Sequence, residues 1–210
     1  MDIKVHDIVQ FETIQQLENP LSLPDWVNTA PASKNYGVVR RMPIMNKLLP
    51  IGLRGDSREK RHGAFIQEKN LIKVIPPTSL VESIGLFNDR IYYSALYKMK
   101  NELEKHNLLW GPTGSVGFEM ATSIHVTTPN SDIDICIYVE QIEEELLVTV
   151  GKFLDSLEQR IDVQVEVPSI GAFLLSDYLK FGNTGFIVRT KFGPHLCVVD
   201  NNKIKLVVNN

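Results

Sequence analysis

The sequence predicts an α+β protein in which a small N-terminal β-rich domain, residues 1–77, precedes a mixed-sheet α/β domain, residues 78–210. Residues 1–75 are rich in Pro, Gly and Arg and contain only short apolar runs, which is typical of short strands joined by turns. The consecutive prolines Pro76 and Pro77 interrupt regular structure and set the domain boundary. Beyond them, segments with helical spacing of apolar residues alternate with strand-like runs, as in an α/β or α+β domain.

The apolar periodicity of each segment predicts the individual elements. Asn88 is a favourable N-cap for a helix over residues 88–106. The segment Ile161–Val167 alternates strictly between apolar and polar residues, as a half-buried strand does. The other predicted elements are N-terminal strands within residues 3–11, 36–40, 48–53 and 71–75, strands at 108–110, 133–139, 185–190 and 195–199, and helices at 116–122, 140–158 and 173–180.

The composition is that of an ordinary globular protein. Of the 210 residues 43% are apolar and 22% charged, and the formal net charge is −3. No strong overall field therefore attracts nucleic acid or anionic lipid, and any phosphate binding must be local. The N-terminal segment has no apolar run of the kind found in a signal peptide, and no stretch reaches the ~18 apolar residues needed to cross a bilayer, so we expect a cytoplasmic protein without a membrane partner. Cys136 and Cys197 lie in apolar runs and are expected to be buried free thiols.

A glycine-rich turn, Gly111–Ser115, is predicted to join a strand to a helix. Gly114 allows the backbone to approach a ligand closely, and the helix that begins near Ser115 offers unpaired N–H groups. Such a helix start favours phosphate. An ordinary strand–helix turn has the same pattern, so the motif alone does not decide between them.

Two aspartates follow at the start of the next predicted strand. Asp132 and Asp134 are two residues apart, so their carboxylates project from the same face. Neighbouring carboxylates on an apolar strand repel each other unless a cation neutralises them. Hard oxygen ligands of this kind suit Mg²⁺, which predicts a magnesium site at Asp132 and Asp134. The alternative is a pair of solvated aspartates at a strand end.

A third carboxylate is expected from the strand Ile161–Val167, whose polar face carries Asp162 and Glu166. One of them could complete the metal site and act as base for an incoming hydroxyl. Asp162 is favoured because it lies at the strand start, and Glu166 remains the alternative. An edge strand with a solvated polar face would have the same sequence.

Taken together, the three segments resemble the signature of the nucleotidyltransferase superfamily. The resemblance implies that the Gly114–Ser115 backbone holds a triphosphate, that Asp132 and Asp134 hold magnesium, and that the third carboxylate activates the acceptor hydroxyl. The implied chemistry is in-line attack at the α-phosphorus with loss of pyrophosphate.

The resemblance narrows to the malonate decarboxylase holo-acyl-carrier-protein synthases, also called phosphoribosyl-dephospho-CoA transferases. It covers essentially the whole chain and is carried by His6–Asp7, Leu23–Trp26, Val38–Arg41, Pro50–Gly55 with Arg58 and Arg61, Trp110–Thr122, Ser131–Asp134, Asp162–Pro168 and Gly171–Phe173. The chain departs from the family in the loop 123–130, which lacks an expected glycine. The loop conformation is therefore not predicted.

This resemblance implies a specific reaction. The substrate would be 2′-(5″-triphosphoribosyl)-3′-dephospho-CoA, the cofactor Mg²⁺, and the acceptor a serine of the acyl carrier protein subunit of malonate decarboxylase. The phosphoribosyl-dephospho-CoA group would be transferred and pyrophosphate released. The motif spacing alone indicates no more than metal-dependent phosphoryl or nucleotidyl transfer.

A basic cluster in the first half of the chain is a second candidate for phosphate contact. Its members are Arg40, Arg41, Arg54, Arg58, Lys60 and Arg61. Arginine binds phosphate bidentately, so Arg54, Arg58 and Arg40 are predicted to contact the substrate. If Arg40 and Arg41 lie on a strand, at most one of them faces the ligand. A docking face for an acidic carrier protein or a solvated surface are the alternatives.

Two other functions fit parts of the pattern. A nucleotidyltransferase that uses ATP on a small molecule or a protein would share the glycine-serine and aspartate motifs, but a small antibiotic-modifying enzyme would not need the Arg-rich first half. A non-catalytic nucleotide-binding module would tolerate loss of one carboxylate, and both Asp132 and Asp134 are present.

Overall fold

The computed structural model describes residues 3–57, 59–168, 170–200 and 203–207. The strands are β1 (Ile8–Phe11), β2 (Tyr36–Val39), β3 (Leu48–Arg54), β4 (Arg61–Gln67), β5 (Leu71–Ile75), β6 (Leu109–Pro112), β7 (Ile133–Tyr138), β8 (Ile161–Val167), β9 (Gly171–Leu174), β10 (Phe186–Thr190), β11 (Gly193–Asp200) and β12 (Lys203–Leu206). The helices are α1 (Asp25–Thr29), α2 (Pro31–Lys34), α3 (Tyr93–Lys105), α4 (Gly114–Thr122), α5 (Glu144–Asp155) and α6 (Leu175–Phe181).

The first five strands form an antiparallel sheet in the order β4-β3-β2-β1-β5. Because side chains alternate along a strand, β1 serves two cores. Val9 and Phe11 pack in an N-terminal core, whereas Ile8 packs with Ile75 in the core of the C-terminal part. The two parts of the chain thus share buried surface, and the domain division at residue 77 stays a prediction.

The last seven strands form a mixed sheet in the order β12-β11-β10-β9-β8-β7-β6. Strands β7 and β8 are parallel and are joined through α5, and the other pairs are antiparallel. Helix α5 is amphipathic and buries Leu147, Val150 and Leu154. The predicted fold class, a β-rich N-terminal part followed by a mixed-sheet α/β part, is confirmed.

The predicted helix over residues 88–106 is wrong at its start. A 3₁₀ helix spans Pro77–Phe87, Asn88 is its C-cap, and α3 begins only at Tyr93. The prolines do not end regular structure here, because a proline in the first turn of a helix forfeits no internal hydrogen bond. Leu80 and Ile84 are buried and hold the segment against the core.

Three strands were not predicted. The helix predicted over 173–180 begins only at Leu175, and Phe173 belongs to strand β9 instead. Phe173 pairs with Val165 and is fully buried. Strand β4 begins with the polar residues Arg61 and His62, and β12 is a short exposed strand, so neither carries a strong apolar signal. Cys136 and Cys197 are buried free thiols, as expected. Among the described helices, none combines the length and the apolar character needed to cross a bilayer.

Candidate active site

A cleft of about 1040 Å³ lies between the two sheets. One wall comes from the N-terminal sheet and is basic, with Arg40, Arg41, Arg54 and Arg61. The other wall comes from the C-terminal sheet and includes Gly114, Asp134, Asp162 and Arg189. The structure thus brings several of the predicted site residues together across the boundary between the two halves of the chain.

The glycine at the start of α4 lies against the carboxylate of Asp134. Gly114 has a φ of +58°, and a β-carbon built at this position would overlap the Asp134 carboxylate. The backbone N–H of Thr113 also donates to the carbonyl of Asp134 at 2.8 Å. Both the left-handed conformation and the lack of space require glycine here.

The start of α4 has the free N–H groups expected of a phosphate-binding helix. No described side chain caps it, and the first helical bond is donated by the Gly117 N–H to the Thr113 carbonyl at 2.8 Å. The N–H groups that precede Gly117 therefore have no partner within the helix. Gly114 is exposed and lines the cleft, whereas Ser115 is half-buried and is not among the lining residues.

The parallel pairing of β7 and β8 sets Asp134 directly beside Asp162. Ile133 is buried with 1% exposure, and Asp132 and Asp134 on either side of it are half-buried. This burial pattern agrees with the predicted common face of the two aspartates. Asp132 lies just before β7 and is not a lining residue of the cleft.

These carboxylates repel each other. Burial raises the pKa of Asp134, and the neighbouring carboxylates of Asp162 and Asp132 raise it further. The guanidinium of Arg160 compensates part of the charge. It lies 3.9 Å from a carboxylate oxygen of Asp132 and 3.4 Å from one of Asp162. Its side chain is 72% exposed, so this neutralisation is weak.

The donor set fits a divalent cation of the magnesium type. Three aspartates offer hard oxygen ligands with an excess of negative charge. Their carboxylate oxygens do not form a compact cluster. Among the described residues, the group whose ligand atoms all lie within 4.8 Å of one another is His6, Cys136 and Glu166. Magnesium commonly keeps several waters and binds through one or two carboxylates, so the three aspartates need not all coordinate it.

The compact group formed by His6, Cys136 and Glu166 does not fit a cation. Arg41 already forms an ion pair and hydrogen bond with Glu166. Burial raises the pKa of the Cys136 thiol well above its usual value, so the thiol is neutral. A neutral thiol and a carboxylate already neutralised by arginine are poor metal ligands.

Glu166, the alternative third carboxylate, is therefore held away from the cleft. It is 8% exposed and does not line the cleft, and it accepts hydrogen bonds from Arg41 and Gln164. Burial alone would raise the pKa of Glu166, but the bonds from His6 and Arg41 lower it overall. Of the two candidates, Asp162 is the one beside Asp134.

Arg40 and Arg54 both line the cleft, and Arg58 lies outside the described residues. The guanidinium carbon of Arg54 stands 5.0 Å from the ring centre of Phe118 in α4. Burial and then the nearby Arg61 lower the pKa of Arg54, against the opposing effect of Glu119. A phosphate group would offset the mutual repulsion of these cations.

Arg40 lies across two glycines that face each other in neighbouring strands. Gly52 of β3 pairs with Gly63 of β4, and β-carbons at these positions would contact or overlap the Arg40 side chain. Strand β2 ends at Val39, so the alternation expected for Arg40 and Arg41 does not apply, and both line the cleft. The two arginines differ in their contacts, because Arg41 forms an ion pair with Glu166.

Three residues around the site were not singled out from the sequence. Arg189 lines the cleft from β10, and Arg160 pairs with two of the aspartates. Arg160 is two residues from Asp162, so the alternation of the strand could have suggested a shared face. Glu119 is buried in α4 and accepts bonds from distant residues, which no local pattern reveals.

Glu119 is hydrogen-bonded to the loop that joins α4 to β7. Its carboxylate accepts hydrogen bonds from the backbone N–H groups of Val126 at 2.9 Å and Thr127 at 3.0 Å, and from the Tyr92 hydroxyl at 3.1 Å. Burial opposes ionisation, but these bonds lower the pKa of Glu119 to about 2. Ser123 adopts the left-handed conformation, φ 59°, at the end of α4 without a glycine.

The sequence model of one family, phosphoribosyl-dephospho-CoA transferase MdcG C-terminal domain, matches residues 80–200. The chain belongs to the phosphoribosyl-dephospho-CoA transferase family. The match contains Gly114, Asp132, Asp134 and Asp162. The chain is therefore an enzyme, a transferase.

Relatives named phosphoribosyl-dephospho-CoA transferase match nearly the whole chain. The protein from Klebsiella pneumoniae (strain 342) is 31% identical over 197 residues, which cover 91% of this chain and 92% of the relative. The Pseudomonas putida protein is 30% identical, with 91% of each chain covered, and the Azotobacter vinelandii protein is 28% identical, with 82% of each covered. No solved structure matches the chain.

Proposed function

We propose that this transferase moves the phosphoribosyl-dephospho-CoA group from 2′-(5″-triphosphoribosyl)-3′-dephospho-CoA to a serine of the malonate decarboxylase acyl carrier protein. One observation carries the proposal: the free helix start at Gly114 lies against Asp134, with Asp162 beside it and arginines across the cleft. A triphosphate that enters this cleft meets N–H donors, carboxylates able to share a cation, and guanidinium groups.

The bond changes follow from the substrate. The serine Oγ attacks the α-phosphorus of the triphosphate, an O–P bond forms, and the bond from that phosphorus to the pyrophosphate oxygen breaks. Pyrophosphate leaves, and the product is a phosphodiester. Asp162 takes the serine proton and passes it to solvent, which is the role expected of a carboxylate at the cleft surface.

Asp132 and Asp134 would hold Mg²⁺. When bound, the cation supplies Lewis-acid stabilisation of the charge on the transferring phosphoryl group. The N–H groups at the start of α4 hold the triphosphate oxygens, and Ser115 contributes its N–H more than its hydroxyl. Arg54 and Arg40, which line the cleft, and Arg58, which is proposed from the sequence alone, contact the remaining phosphates.

The basic wall supports this substrate over ATP acting on a small molecule. The family substrate carries a triphosphate and, further along, a diphosphate, so it presents two separated anionic groups. Arg54 pairs with Arg61 in neighbouring strands, and Arg40 lies across Gly52 and Gly63, two residues along the same strands, so the wall offers several guanidinium groups. A net charge of −3 offers no general attraction for anions, so these arginines supply it locally.

The test is the mass of the carrier after reaction. The full chain is incubated with triphosphoribosyl-dephospho-CoA, Mg²⁺ and the apo acyl carrier protein, and the carrier is measured by mass spectrometry. A mass gain equal to the phosphoribosyl-dephospho-CoA group, with one pyrophosphate released per carrier, is expected. Controls replace the substrate with ATP, the carrier with one lacking its serine, and the enzyme with Asp134→Asn. An unmodified carrier, or equal modification by ATP, would refute the proposal.

A further inference from the structure

A second cavity, of about 1250 Å³, adjoins the cleft. The two cavities share the segment from Val39 to Met42, together with Val5 and Thr190. Arg40 and Arg41 therefore stand at the junction, with the Gly114 and Asp134 region on one side and the second cavity on the other. A ligand longer than a nucleoside triphosphate could pass this junction and occupy both.

The second cavity differs from the cleft in its chemistry. Gly114, Asp134 and Asp162 do not line it, and apolar side chains provide much of its wall. These include Ile44, Leu109, Leu146, Ile170 and Phe192. Leu109 is 57% exposed and Phe192 86%, so both apolar side chains are accessible to a ligand in this cavity. Asn107, Tyr138 and Gln141 add neutral polar groups, and charged side chains such as Lys4, Glu140 and Lys191 also line the cavity.

The change from an arginine-lined junction to a more apolar cavity follows the order of the chemical groups in dephospho-CoA. The molecule has an adenosine, then a diphosphate, then a pantetheine arm of methylene groups and two amides that ends in a thiol. The junction offers the exposed guanidinium of Arg40 next to Arg41, whose charge is engaged by Glu166. Beyond it, the apolar side chains could pack against the methylene groups of the arm, and the polar side chains could bond its amides.

We infer that the second cavity is the binding site of the pantetheine arm and that Arg40 contacts the diphosphate that precedes it. The inference rests on the proposed function and adds to it the part of the substrate that is remote from the reacting phosphorus. Binding energy from such a remote group fixes the reactive end in position. It also lets the enzyme distinguish its substrate from ATP and other triphosphates that lack the arm.

The experiment compares ADP with dephospho-CoA, which differ by the pantetheine arm. Both are titrated calorimetrically into the full chain with Mg²⁺. The wild type is expected to bind dephospho-CoA at least about tenfold more tightly than ADP, as burial of several methylene groups predicts. In the double variant Leu109→Glu and Phe192→Glu, this ratio is expected to fall at least about fivefold, with ADP affinity unchanged.

The control is Ile72→Glu, which changes an exposed apolar residue, 61% accessible, that lines neither cavity. It should leave both affinities as they are. Equal affinity for ADP and dephospho-CoA in the wild type, or an unchanged ratio in the double variant, would overturn the inference and leave the proposed function intact. Binding of neither nucleotide would contradict both. An unchanged ratio combined with weaker capture of the apo carrier would assign the apolar wall to the carrier instead.

Discussion

The carboxylate of Asp134 lies directly against the α-carbon of Gly114, so that a β-carbon at position 114 would occupy the space of the carboxylate. This contact joins the two motifs that the sequence places 16 or more residues apart. It brings the free N–H groups at the start of α4 and an acidic side chain to the same surface of the cleft. The proposed metal and triphosphate sites depend on this closeness.

The Gly114→Ala variant is expected to lose transfer activity by about 100-fold or more, because the new methyl group displaces Asp134 and strains a left-handed residue. The kcat/KM for carrier modification measures the effect. Gly85→Ala is the matched control, since nothing lies within 4 Å of a β-carbon there. Ser115→Ala should lose less than Gly114→Ala, and a larger loss would show that the hydroxyl matters more than the backbone.

The Asp134→Asn variant is expected to be inactive yet at least as stable as the wild type without metal. Burial and two neighbouring carboxylates raise the pKa of Asp134, so its charge opposes folding as the pH rises above the ordinary aspartate pKa. Thermal unfolding at pH 7 in a chelator measures this. Added Mg²⁺ should then raise the Tm of the wild type and leave that of Asp134→Asn unchanged. A marked loss of stability in chelator would contradict the repulsion.

Isosteric substitutions of Asp162 and Glu166 test which of the two carboxylates acts as the base. Asp162→Asn should lower kcat by about 100-fold or more. Glu166→Gln should keep activity within about tenfold but lower stability by ~3 kcal/mol, because it leaves the half-buried Arg41 charge uncompensated. Rates and denaturant unfolding are measured on the same preparations. Should folded Glu166→Gln be as inactive as Asp162→Asn, the assignment of Asp162 would be lost.

The Glu119→Gln variant is expected to lose ~3 kcal/mol of stability at pH 7, since the pKa of Glu119 is lowered to about 2 by its bonds to the loop. A lowered carboxyl pKa gives stability that is complete above the unfolded pKa and is lost as the pH falls from about 4.5 toward 2. The difference between wild type and variant should therefore shrink over that range. Glu104→Gln, on the exposed side of α3, is the control. A difference that does not vary with pH would contradict this role.

Local patterns in the sequence predicted the parts of the site that local geometry controls. The spacing of Asp132 and Asp134 predicted a common face, because alternation along a strand is fixed by the backbone. The glycine-serine turn predicted a helix start. The position of Asp162 at the beginning of its strand favoured it over Glu166, and the parallel register of β7 and β8 sets it beside Asp134.

Contacts between distant segments were not predictable in this way. The pairing of Arg41 with Glu166 joins residues 125 positions apart, and the passage of Arg40 across Gly52 and Gly63 depends on the register of two strands. Both contacts depend on tertiary packing between distant segments, which a short stretch of sequence does not reveal. The helix predicted from Asn88 failed for a related reason, since buried contacts of Leu80 and Ile84 stabilise a 3₁₀ segment after the prolines.

The proposal that Gly114 and Asp134 form one site for a cation and a triphosphate can be tested without the carrier. Its most direct test is calorimetric titration of triphosphoribosyl-dephospho-CoA, without carrier, into the wild type and into Asp134→Asn, each with Mg²⁺ and with a chelator. Mg²⁺ is expected to tighten binding to the wild type at least about tenfold and to have no such effect in Asp134→Asn. Equal affinity of both proteins with and without Mg²⁺ would contradict it.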